Sequence, residues 1–177
     1  MNSALMETLR YHFIMNIGCD WPRNISGKLN LGFAMRYYLW DASEYYLNIY
    51  LTDQDENEIL LAGFNPDGVT GESGHTIYDW MTDWHHYAIS IDTTNLYAFV
   101  DGKRYTTVPL STTYTDNGGT TKTLSEWIGL MPSQVCVSSW VNSGQAGDNG
   151  LEGLWAQLAV CKACKWTTDF TVPTEAY

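Results

Sequence analysis

Basic residues are scarce in this sequence. Nine Lys and Arg stand against 20 Asp and Glu in 177 residues, a formal net charge of −11. A surface of that sign repels phosphate backbones and anionic lipid, which argues against nucleic acid or a membrane surface as the main partner. A neutral glycan, a metal ion or a basic protein remains compatible with it. Charge of either sign is sparse at 16%, while hydrophobic residues reach 45%. That balance is the reverse of a disordered chain. No apolar run approaches the roughly 20 residues a spanning helix needs, so no membrane insertion is expected. The opening stretch MNSALMETLRYHFIMNIG has no basic n-region, and Glu7, Arg10 and His12 interrupt its apolar residues. It does not read as a signal peptide. The expectation is synthesis in the cytoplasm, with any exit inside a larger particle or by lysis.

Cysteine is also limited. Cys19, Cys136, Cys161 and Cys164 are the four, and Cys161-Lys-Ala-Cys164 is the single CxxC. A zinc site would need Cys19, Cys136 or histidines to complete it. A redox CxxC would want a strand-to-helix context. The preferred reading is that Cys136 and Cys161 are small core or strand residues kept reduced. Catalytic motifs are missing too. There is no G-x-S-x-G and no H-E-x-x-H. Asp53, Asp55 and Asn57 have the spacing that opens an EF-hand, but Glu58 stands where its Gly belongs and Phe64 where its Glu belongs. A solvated turn is the better reading.

Long stretches of helical periodicity are lacking, whereas residues suited to pleated, half-buried surfaces are plentiful: 8 Trp, 12 Tyr and many Thr, Val and Ile. The expected class is all-β in one domain over 10–177, with 1–9 an arm or tail. Strands are expected at 10–17, 29–40, 45–52, 58–64, 123–131, 134–141 and 154–160. Segment 45–64 reads as a hairpin. The clearest signal is Trp84 to Leu110. Tyr87, Ile89 and Ile91 alternate with Ala88, Ser90 and Asp92, and Leu96, Ala98 and Val100 alternate with Tyr97 and Phe99. Asp101-Gly102 between alternating runs marks a type I′ hairpin. Thr93-Thr94-Asn95 is a short polar break between the first two runs, and the two consecutive hairpins make a three-stranded meander.

Three polar, glycine-rich loops punctuate these strands: 65–83, 111–121 and 142–150. A loop as long as 65–83 is usually functional. Sugar rings have apolar faces and hydroxyl edges, so a glycan site wants flat aromatics beside hydrogen-bonding Asp and Asn. The loops supply that mixture. Tyr78, Trp80, Tyr114 and Trp140, with Asn117 and Asn142, are the candidate glycan-binding residues. Trp84, Trp127, Trp155 and Trp166 are assigned to core or sheet packing.

WHHYAISID (84–92) followed by LYAFVDGK (96–103) resembles the hallmark of the laminin-G-like, concanavalin A-like lectin/glucanase superfamily. GLWAQLAV (153–160) and KWTTDFTVPTEAY (165–177) are similar to the last strand and closing tail of such domains in bacteriophage and gut-bacterial surface proteins. The resemblance implies a two-sheet antiparallel β-sandwich of jelly-roll type and a recognition role. It implies a virion or extracellular surface location, as a tail fibre, receptor-binding tip or capsid decoration that contacts host-surface glycan and other virion proteins. Fibre modules are often homo-oligomers, commonly trimers. Many relatives hold Ca²⁺ through loop carboxylates, which makes Asp79, Asp116 and Asp148 the candidate metal ligands. The first His of the motif is usually structural, so His85 and His86 read as fold residues. Retaining glucanases of the superfamily carry Glu-x-Asp-x-x-Glu or Glu-x-Asp-x-Glu on one strand, and neither occurs here. The expectation is a non-catalytic carbohydrate-binding module. The alternatives are a purely structural virion protein, whose aromatic loops contact neighbouring subunits, and a glycoside hydrolase of the same fold.

Overall fold

A computed structural model describes residues 9–17, 30–38, 41–52, 58–65, 74, 83–116, 118–131, 135–137 and 159–174. Its first four strands are β1 (Leu9–Ile17), β2 (Asn30–Tyr38), β3 (Asp41–Thr52) and β4 (Glu58–Phe64). They pair antiparallel in sequence order, Leu31 opposite Leu51 and Leu51 opposite Ile59. The 45–64 hairpin is therefore present, and its first strand begins earlier, at Asp41. Ile49 and Leu51 of β3 are fully buried, but so are Asn48 and Tyr50 on the opposite face. Burial on both sides forces the Asn48 amide to find a partner, and Nδ2 donates to the Tyr50 hydroxyl at 2.7 Å.

A second sheet holds β5 (Tyr87–Ile91), β6 (Asn95–Val100) and β7 (Lys103–Pro109), in that order and antiparallel. The predicted meander is therefore present. Its first turn is built on Asp92. Oδ1 accepts the backbone N–H of Thr94 and of Asn95, each at 2.7 Å, and Oδ2 accepts the Tyr97 hydroxyl at 2.8 Å. Its second turn has φ of +48° at Asp101 and +76° at Gly102, the two positive angles a type I′ turn requires.

The central strand β6 is buried on both faces. Leu96, Ala98 and Val100 join Ile49 and Leu51 of β3, with Val108, Leu110, Leu124 and Trp127, in the main core. Tyr97 and Phe99 face the other way. With Ala88 they form a second cluster, against which Trp166 and Phe170 pack. The second face of β5 is thus covered as well, where a single buried face was expected from its alternation.

Beyond β7 come β8 (Thr113–Thr115) and β9 (Thr121–Thr123), paired as a short hairpin. The strand expected over 123–131 is not there. Leu124–Gly129 forms a helix, α1, capped by Thr123. The Glu126 backbone N–H donates to Thr123 Oγ1 at 3.2 Å, while the Glu126 carboxylate accepts the Thr123 N–H at 2.8 Å. This reciprocal capping box satisfies two donors that a short helix would otherwise leave orphaned. The helix buries Leu124 and Trp127 completely, and the Trp127 indole N–H donates to the Tyr114 carbonyl at 3.1 Å.

The last described strand, β10 (Val135–Val137), pairs antiparallel with β1 and gives the larger sheet the order β10-β1-β2-β3-β4. It falls within the expected 134–141 strand. The expected 154–160 strand lies mostly outside the described residues, and Ala159 and Val160 are exposed and irregular. Among the described residues all sheets are antiparallel and helix is slight, which makes the fold all-β.

Candidate functional site

The meander's open end gathers the residues with the most chemistry. Asp101 organises it because its turn conformation aims the carboxylate back at the start of β5. Oδ1 accepts the backbone N–H of His86 at 2.7 Å, Oδ2 lies 2.7 Å from His85 Nδ1, and the Asp101 backbone N–H donates to the His86 carbonyl at 2.8 Å. One side chain and its own amide therefore fix residues 85 and 86. Both histidines serve the fold in this geometry. The His86 ring stands edge-on to Trp166 and Phe170, with centroids 5.9 and 5.5 Å away. Burial pushes its pKa below the ordinary histidine value, more than the Asp101 charge raises it. His86 is neutral near pH 7 and packs as an aromatic.

Residues 164–170 form a strap across the outer face of the meander. Ser90, 5% exposed near the end of β5, accepts the backbone N–H of Lys165 at 3.1 Å and of Trp166 at 3.2 Å. Phe170 N–H donates to the Gly102 carbonyl at 2.9 Å. Arg104 donates its backbone N–H to Asp169 Oδ1 at 2.8 Å and its guanidinium to the Thr167 carbonyl at 2.6 Å. Trp166 and Phe170 stack at 3.9 Å with planes 8° apart, and the Lys165 ammonium lies 4.7 Å from the Trp166 ring centre. Trp166 is thus a packing residue, as expected, and so is the fully buried Trp127.

Trp84 departs from that expectation. It is 67% exposed. It precedes the first strand residue by three positions, so the alternation that buries Ala88 and Ser90 does not reach it. Asp83 beside it is exposed too. Together the two residues supply an indole that can stack and a carboxylate that can accept hydroxyl hydrogen bonds. Asp83 and Trp84 are the candidate site; of the 65–83 segment that leads into them, only Asn65, Gly74 and Asp83 are among the described residues. Sequence reasoning passed over Trp84 because it also fits the period-2 series of β5; the aromatic cluster Tyr78, Trp80, Trp84 was the signal that grouped it with the loop.

Of the residues expected to bind glycan, Tyr114 alone is described. It is half-buried in β8 against the main core, and burial pushes its hydroxyl pKa up. Tyr78, Trp80, Trp140, Asn117 and Asn142 lie outside the described residues. Of the candidate Ca²⁺ ligands, Asp116 is described and Asp79 and Asp148 are not. Asp116 shapes the β8–β9 turn, with Oδ1 accepting the Thr120 N–H at 2.7 Å. Among the described residues, no group of three or more His, Cys, Asp and Glu is arranged to hold a metal ion. No family model, curated protein or solved structure matches the chain.

Proposed function

We propose that this chain is a non-catalytic recognition module that binds cell-surface carbohydrate through Trp84 and the aromatic loop before it. The exposed indole of Trp84 carries the reading. A flat indole face can stack on the apolar face of a pyranose, and Asp83, its neighbour in sequence, supplies a carboxylate for the sugar hydroxyls. The rigid support beneath it fits the role, because Asp101 locks the next two residues in place. The proposed architecture is a concanavalin A-like sandwich of two facing sheets. Its support is the main core, where β3 of one sheet shares a buried cluster with β6 of the other. The proposed setting is the surface of a phage virion, which rests on the resemblance of the meander and the closing segment.

A glycan array with the purified protein, run with Ca²⁺ and again with EDTA, tests this. Selective binding that disappears in Trp84→Ala, with the urea midpoint unchanged, is the expected result. Loss of binding in EDTA would add a Ca²⁺ ion to the site. The second reading, a structural virion protein, draws on Leu130 and Val160, which are 41% and 72% exposed. A blank array from well-folded protein would overturn the lectin reading and favour that one.

A further inference from the structure

Cys164 is built into the first anchor of the strap. Its Sγ lies 3.1 Å from Ser90 Oγ. Ser90 already accepts two backbone N–H groups, so its own hydroxyl proton is directed at the sulfur. The thiol in turn donates toward the Trp166 carbonyl at 3.6 Å. Cys161, three residues earlier, is exposed, against the expectation that it would be a core or strand residue. The chain bends at both Lys162 and Ala163 between them. A chain that bends at both intervening residues can bring i and i+3 toward the roughly 4.4–6.8 Å Cα span that a disulfide bridges.

We propose that Cys161 and Cys164 form a reversible dithiol–disulfide couple that senses redox state at the docking point of the strap. The oxidant is a small disulfide of the glutathione class. The exposed Cys161 thiolate attacks one of its sulfurs, forms a mixed disulfide and expels one thiolate. Cys164 then loses its proton to solvent and attacks the Cys161 sulfur, expelling the second thiolate. Two protein thiols are oxidised, one small disulfide is reduced, and the two released thiolates take up the two protons. Cys164 then has no S–H for the Trp166 carbonyl, and Ser90 faces a disulfide sulfur in place of a thiol. The Ser90 contacts of the strap weaken.

The test equilibrates the whole protein with mixtures of reduced and oxidised glutathione, traps the thiols by alkylation and maps the products by mass. A single internal Cys161–Cys164 disulfide, reversed by reduced glutathione and absent from Cys161→Ser and Cys164→Ser, is the expected result. Hydrogen exchange at the Lys165 and Trp166 amides should quicken about fivefold on oxidation, the factor one lost hydrogen bond represents. Cys161→Ser changes an exposed position and should show no such response to the oxidant. A stable glutathione adduct on Cys161 alone, pairing with Cys19 or Cys136, or a disulfide that leaves exchange unchanged would overturn the proposal.

Discussion

At Gly102 the chain turns with φ of +76°, and a Cβ there would overlap the Phe170 carbonyl oxygen. Gly119 turns at +80° with open space around it. The two positions separate backbone strain from collision. Gly119→Ala should cost about 1 kcal/mol, the lower end of the left-handed penalty, and Gly102→Ala more than about 2 kcal/mol, read from urea midpoints. Asp92 offers a second residue-scale test. The Thr94 N–H, then the Asn95 N–H and the Tyr97 hydroxyl, hold its carboxyl at about 2, below the ordinary 3.8. The folded chain thus binds this proton more weakly than the unfolded one. Its contribution to stability is complete above the unfolded value and is lost as pH falls from about 4 toward 2. Asp92→Asn should flatten the acid limb of a stability–pH curve over that window. Some slope should survive, because Glu126 and Asp169 are shifted in the same direction.

Among the elements, α1 depends most on one residue. Six residues are too few for a helix to persist on propensity alone, so the cap and the buried Leu124 and Trp127 must hold it. Thr123→Ala should cost about 1 kcal/mol, measured by denaturant titration, and Thr123→Ser should recover most of it. The meander was legible in the sequence because three local signals agree there: alternation, the polar break Thr93-Thr94-Asn95 and Asp-Gly at the second turn. The helix was not, since six residues are under two turns and Trp127 and Ile128 favour strands as readily. Thr123-Leu-Ser-Glu126 was the overlooked signal. Trp84 was misassigned for a related reason. Period-2 spacing identifies a strand but not its first residue. That Ala88 and Ser90 would be covered was also hidden, because their cover is supplied by residues more than 70 positions away.

For the whole molecule, the strap makes β6 a central layer with apolar contacts above and below. Phe170 closes it by stacking on Trp166, standing edge-on to Phe99 at 5.2 Å and bonding to Gly102. Phe170→Ala should lower stability by about 2–3 kcal/mol, since it removes a half-buried ring and loosens the indole beside it. Urea midpoints give the size of the loss. Faster amide exchange at Lys165 and Trp166 in the same variant would locate it in the strap.

The strap bonds to residues that precede it by 63 to 76 positions. During synthesis the three meander strands emerge first, and their short turns can close at once. The Tyr97–Phe99 face then stands bare until the strap has left the ribosome. Closure over so long a separation is slower than either turn. In that interval the uncovered aromatic face can stick to a neighbouring nascent chain. The yield of correctly assembled protein should therefore depend on how crowded the emerging chains are, and on how soon residues 164–170 follow.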